Sequence, residues 1–122
     1  MKPPSRETGP QTPLTPAMFH VLLALAGEDL HGYAILKEVE WRTGGEVRLS
    51  TGTLYGIIKR LLDDGLIAER RGRPAAEHDD ERRRYYRLTA KGHGVAVAEA
   101  ERLESIVALA RSRRLLKRPR PA

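Results

Sequence analysis

The 122-residue sequence contains no cysteine. That one absence excludes disulfide scaffolds, zinc–thiolate fingers, iron–sulfur clusters and cysteine nucleophiles. Long apolar runs are missing too: none approaches the roughly 18 residues needed to span a bilayer. The start, Met1-Lys2-Pro3-Pro4-Ser5-Arg6, leads into polar, proline-rich sequence rather than an apolar segment, so no secretory signal is expected. His20, His31, His78 and His93 are scattered without metal-ligand spacing. Ser50-Thr51-Gly52-Thr53 lacks the lysine and the glycine spacing of a phosphate-binding loop. No nucleophile–base pair or paired carboxylate stands out from the surface charge. A soluble, cytoplasmic chain with no catalytic residues, no metal, no cofactor and no membrane partner is the expected class.

What the sequence has in excess is positive charge, +6 overall. A basic balance favours a polyanionic partner, either nucleic acid or an anionic membrane surface. The charge is unevenly spread. Residues 14–69 are mildly acidic, with five basic against eight acidic residues. Residues 70–88 form a local basic patch, with seven against four, and residues 111–122 carry six basic residues and no acidic one. The C-terminal end alone matches the whole excess, so overall charge says little about specific binding. The patch at 70–88 says more.

Residues 1–13 hold Pro3, Pro4, Pro10 and Pro13 among small polar residues and read as a flexible tail. Thr15-Pro16 then opens a helix: Thr15 can cap, and proline at the first helical position has no N–H to satisfy. Leu14 and Phe19 are placed as a hydrophobic staple. Val21, Leu22, Leu25 and Ala26 follow at helical spacing up to Gly27. A second helix is expected over about Gly32 to Thr43, with Tyr33, Leu36 and Val39 buried, Ile35 on the edge, and Gly44-Gly45 as its stop. A third follows the cap residue Ser50, with Leu54, Ile58, Leu61 and Leu62 on one face and Gly65 as a left-handed end. Leu66–Arg71 and Arg83–Leu88 alternate as two strands of a hairpin with a long polar loop. Tyr85 and Tyr86 point to opposite faces of their strand, so one belongs to the core. Thr89 caps a last long helix.

Three helices followed by a hairpin match a winged helix-turn-helix, in which one helix enters the major groove and the wing reaches the backbone or minor groove. The fold class is therefore mainly α (α+β). Residues 1–13 are the tail, 14–88 the winged helix-turn-helix domain, 89–116 a C-terminal dimerisation helix and 117–122 a basic disordered tail. If Leu54, Ile58, Leu61 and Leu62 face inward, the opposite face of the third helix presents Thr51, Gly52, Tyr55, Gly56 and Lys59, flanked by Thr53 and Arg60. With Ser50 at the cap, small and hydroxyl residues there permit close approach and donate to phosphates or base edges. Arg60 has the donor fork that grips a guanine edge. In the wing, Arg71, Arg73, Arg83 and Arg84 are the expected phosphate contacts. The last helix carries Ala96, Ala100, Leu103, Ile106, Val107 and Ala110 on one broad stripe, more than one hairpin can cover. A second copy is the economical cover, and two-fold symmetry would set two recognition helices roughly 34 Å apart on a pseudo-palindromic site. Trp41, the only tryptophan, is a candidate for a small-molecule effector or a dimer contact.

The runs His31-Gly32-Tyr33-Ala34-Ile35, Thr43-Gly44-Gly45, Leu49 to Tyr55, Arg60-Leu61, Gly65-Leu66-Ile67 and Arg84 to Gly92, in this order and spacing, resemble the PadR-like transcriptional regulators. The resemblance runs over about residues 18–95. It implies a dimeric DNA-binding repressor released by a small ligand or stress signal, in a short form that dimerises through one C-terminal helix. Gly56 departs from the proline common in the family after Gly-Thr-Leu-Tyr, which puts base preference in question. Two other classes fit the residues less well. One is a nonspecific nucleic-acid or anionic-surface binder driven by the basic end. The other is a winged-helix protein-interaction module, whose wing would lack concentrated arginine.

Overall fold

A computed structural model of the chain describes residues 14–70 and 84–117. The proposed tail 1–13, the wing arginines Arg71, Arg73 and Arg83, and residues 118–122 of the basic end lie outside the described residues.

Each long helix starts at a side-chain cap. Helix α1 (Pro16–Gly27) begins where Thr15 Oγ1 accepts from the Met18 N–H at 3.1 Å. Strand β1 (Leu30–His31) runs directly into α2 (Gly32–Arg42), and His31 is that helix's cap: its Nδ1 accepts from the Ala34 N–H at 3.1 Å. The accepting nitrogen is necessarily the unprotonated one. Helix α3 (Thr51–Asp63) begins at Ser50, whose Oγ accepts from the Thr53 N–H at 3.1 Å, and it is followed by Gly65 at φ 76°. Strands β2 (Ile67–Glu69) and β3 (Tyr85–Leu88) form the wing's stem, and α4 (Ala90–Ser112) starts from Thr89. α4 stops short of the expected residue 116, and Arg114 just beyond it is left-handed at φ 67°.

The sheet is antiparallel with order β1-β3-β2, so β3 is central. The sequence did not announce β1. Two residues cannot show an alternation, and the strand exists because Leu30 and His31 pair with Tyr86 and Tyr85. The wing strands are shorter than their alternating patterns suggested, three and four residues long.

The core joins Met18, Val21, Leu22 and Leu25 of α1, Ile35 and Val39 of α2, Leu54, Ile58 and Leu61 of α3, then Leu66, Ile67 and Tyr86. Tyr86 is thus the core member of the tyrosine pair. On α1, Ala26 is exposed, while Met18 and Ala24 are buried. Leu62, expected on the inward face of α3, is half-buried at its border. The buried stripe of α2 is rotated from the expected one. Ile35 is fully buried rather than on the edge, Leu36 is half-buried, and Tyr33 is exposed.

The cause is Gly32, which faces inward because the Tyr55 ring lies on it. A Cβ at Gly32 would collide with the Tyr55 hydroxyl and come within 2.9 Å of its Cζ. Burying Gly32, Ile35 and Val39 on one side turns Tyr33 outward. The same contact takes Tyr55 off the outward face of α3. Its ring is half-buried at the α2–α3 junction, packed against the core. Among the described residues no helix is long and apolar enough to cross a membrane.

Removing the Tyr55 ring opens a gap at this junction. Tyr55→Ala is expected to cost roughly 2 kcal/mol, less than a fully buried aromatic, and to lower the thermal midpoint by roughly 10 °C. A midpoint equal to that of the unsubstituted chain would put the ring back on the outer face.

Candidate nucleic-acid interface

With Leu54, Ile58 and Leu61 buried, α3 shows solvent a face of small, hydroxylated and basic residues. Thr51, Gly52, Thr53, Gly56 and Lys59 are exposed, and Arg60 is half-buried at the edge. Among the described residues, no atom outside the neighbouring helix backbone stands within 4 Å of where a Cβ would be at Gly52 or Gly56. The exposed Ser50 also donates from Oγ to Thr53 Oγ1 at 2.9 Å. That bond fixes both hydroxyls at the helix N-terminus, where free N–H groups and the helix dipole favour an anion.

The two cations of α3 are held one turn from carboxylates. Lys59 Nζ is 3.3 Å from Asp63 Oδ2, and Arg60 Nε is 3.6 Å from Asp64 Oδ2. The Lys59–Asp63 pair is solvent-exposed and contributes about 0.3–0.5 kcal/mol, whereas Asp64 Oδ2, beside Arg60, is buried.

At the wing's base, Arg84 is exposed and its Nη1 is 3.4 Å from Glu69 Oε2. Arg70 lies over the Tyr85 ring at 4.4 Å, and His31 meets the same ring edge-on at 5.3 Å. Arg70 is also 3.9 Å from Asp29. Tyr85 is therefore a spacer that holds one cation and one cap residue. Of the four wing arginines named from the sequence, only Arg84 falls among the described residues. The structure adds Arg87, exposed on β3 opposite Ala68, and Arg48, 73% exposed in the loop before α3. The alternation that buries Tyr86 already turned Arg87 outward. Arg48 had no periodic signal.

Trp41 is 81% exposed at the end of α2. It lines an open groove of about 850 Å³ with Tyr33, Lys37, Glu40 and Arg48, bounded by β1 and by Gly44-Gly45. Lys37 stands 5.5 Å over the Tyr33 ring. Among the described residues no three His, Asp or Glu side chains group closely enough to hold a metal ion.

On α4, Val95 and Ala96 pack on the core, but every residue from Ala100 to Leu109 is exposed. Leu103, Ile106 and Val107 stand in this stretch, and Ala110 is half-buried just past it. Beside the stripe, Leu14, Phe19 and Leu23 with Leu103 line a second groove of about 290 Å³ between α1 and α4. The α1 side of this apolar surface was not read from the sequence, where Leu14 and Phe19 appeared only as a staple. Glu99 and Arg102 rim the groove, bonded at 2.6 Å. The guanidinium's hydrogen bond holds the Glu99 carboxyl below the usual carboxylate range.

Comparison with known proteins agrees with this architecture. The family model of the transcriptional regulator PadR-like family matches residues 21–98. A transcriptional regulator from Clostridium thermocellum is 26% identical with a TM-score of 0.64, over 78% of this chain and 86% of that one. A PadR family transcription regulator from Clostridium difficile R20291 is 25% identical with a TM-score of 0.62, over 78% and 94%. A complex structure of hsRosR-S4 is 28% identical with a TM-score of 0.56, over 81% and 90%. No match was found among curated protein sequences. The family match runs from α1 through α3 and the wing into α4, and the chain belongs to the PadR-like family of DNA-binding transcriptional regulators, built on a winged helix.

Proposed function

We propose that this regulator binds a pseudo-palindromic duplex operator as a homodimer, with the outward face of α3 in the major groove and the wing on the backbone. The observation that carries the reading is that face itself. Gly52, Gly56, Thr51, Thr53, Lys59 and Arg60 stand together beside a stem that holds Arg84 and Arg87 outward. Tyr55 is left out of the contact set. Base reading falls to Arg60 and the hydroxyls, while phosphate contact falls to Lys59 and the wing. Arg71, Arg73 and Arg83 complete the wing in this reading.

The dimer is formed through Ala96, Ala100, Leu103, Ile106, Val107 and Ala110, joined by the α1 side of the neighbouring groove. Leaving Leu103, Ile106 and Val107 in water forgoes about 25 cal/mol for every Å² of apolar surface, and a second copy of the same stripe removes that loss. A dimer on its operator excludes other proteins from the same grooves, so control is by repression. A small molecule in the Trp41 groove would touch β1 and the loop leading into α3, both of which set the DNA face. That is the route by which a ligand would relieve repression.

The test is binding to the upstream region of the chain's own gene against a scrambled duplex, across a salt series. Affinity for the upstream fragment is expected to exceed that for scrambled DNA by at least about a thousandfold at physiological salt. Arg60→Ala should lose roughly tenfold or more and narrow that ratio. Lys59→Ala should weaken both duplexes alike and reduce the salt slope by about one. Equal affinity for both duplexes would remove the operator reading and leave counterion-driven attachment.

Leu103→Asp places a charge in the shared stripe and is expected to yield monomers in sedimentation with the helical signal retained. An intact dimer would move the interface elsewhere.

A further inference from the structure

Past the last turn of α3, three successive carbonyls need donors: those of Asp64, Gly65 and Leu66. All three are taken from the start of α4. Lys91 Nζ donates to Asp64 O at 2.9 Å, Thr89 Oγ1 donates to Gly65 O at 2.7 Å, and the Thr89 N–H donates to Leu66 O at 3.1 Å. The same Thr89 oxygen accepts from the Gly92 N–H at 2.9 Å and so caps α4. One hydroxyl therefore holds the chain leaving α3 and begins α4. The backbones meet so closely that a Cβ at Gly92 would collide with the Leu66 carbonyl oxygen and sit 2.8 Å from its carbon. Lys91 also brings positive charge to the C-terminal end of the α3 dipole.

The joint extends the β2–β3 ladder: the Thr89 N–H to Leu66 O bond is the rung beyond the Ile67–Leu88 pair, and the Thr89 and Lys91 side chains carry it on to the exit of α3. It ties the recognition helix to the helix with the apolar stripe across 24 to 27 residues of sequence. Val95 and Ala96 also hold α4 on the core, but apolar contact is non-directional, whereas hydrogen bonds fix angle and register. The angle matters because of leverage. At 1.5 Å per residue, α3 is about 20 Å long, so a rotation of about 10° at its exit moves its first turn by about 3 Å. That is close to the 3.4 Å rise of one base pair.

We infer that Thr89 and Lys91 are positioning residues for DNA recognition: their bonds to the exit of α3 set the spacing and tilt of the two recognition helices in the dimer. The inference rests on the dimeric reading above, and its test separates the two. Because the chain has no cysteine, Gly56→Cys supplies one labelling site per protomer, and among the described residues a Cβ there meets nothing within 4 Å outside its own helix. Spin labels at that position report the distance between the two recognition helices without DNA.

The Gly56→Cys chain is expected to give one narrow distance distribution. Adding Lys91→Met, a substitution at an exposed side chain, should at least double its width while sedimentation mass and thermal midpoint stay within error. Thr89→Val should broaden it further, and Thr89→Ser should restore the narrow distribution, which a general loss of stability would not do. No dipolar signal in any chain would remove the dimer, and this inference with it. A dipolar signal of unchanged width in both Lys91→Met and Thr89→Val would overturn the inference and leave the dimer standing.

Discussion

The structure depends on the contact between Gly32 and the Tyr55 ring. α2 and α3 are the two helices of the DNA-binding unit, and their mutual angle decides which residues of α3 face outward. With no side chain at Gly32, the ring settles at the junction and Leu54, Ile58 and Leu61 turn into the core. Everything assigned to the DNA face is the remainder of that arrangement. The exposed glycines, hydroxyls and cations are outward because the apolar side and one aromatic ring are inward.

A second constraint comes from polar satisfaction rather than apolar packing. Helix ends leave carbonyls and N–H groups that need partners. In this chain short polar side chains meet that need locally: Thr15, His31, Ser50 and Thr89 each accept from a backbone N–H three residues on. Thr89 does more, since its hydroxyl also donates to the chain that leaves α3. The division of labour is clear. Apolar burial brings the helices together, and a few directional bonds fix how they point.

Much of this was legible from residue order. The caps Thr15, Ser50 and Thr89, the left-handed Gly65 and the burial of Leu54, Ile58 and Leu61 on α3 are local or periodic signals, and each stands in the structure as expected. What failed to show depended on partners distant in sequence. β1 exists only against β3. The phase of α2 was set by Tyr55 rather than by its own pattern, so Tyr33 and Ile35 exchanged places. Tyr55 sits at the border of two helix faces, where periodicity assigns either side, and only the absence of a side chain at Gly32 decides. Arg48 lies in a loop, where no period applies.

The most direct measurement of whether α3 reads DNA as a symmetric pair is hydroxyl-radical footprinting of the protein on the upstream region of its own gene. Two protected clusters on one face of the duplex, centred about one helical turn apart, are the expected result. A single protected cluster, or even protection along the whole fragment, would contradict it.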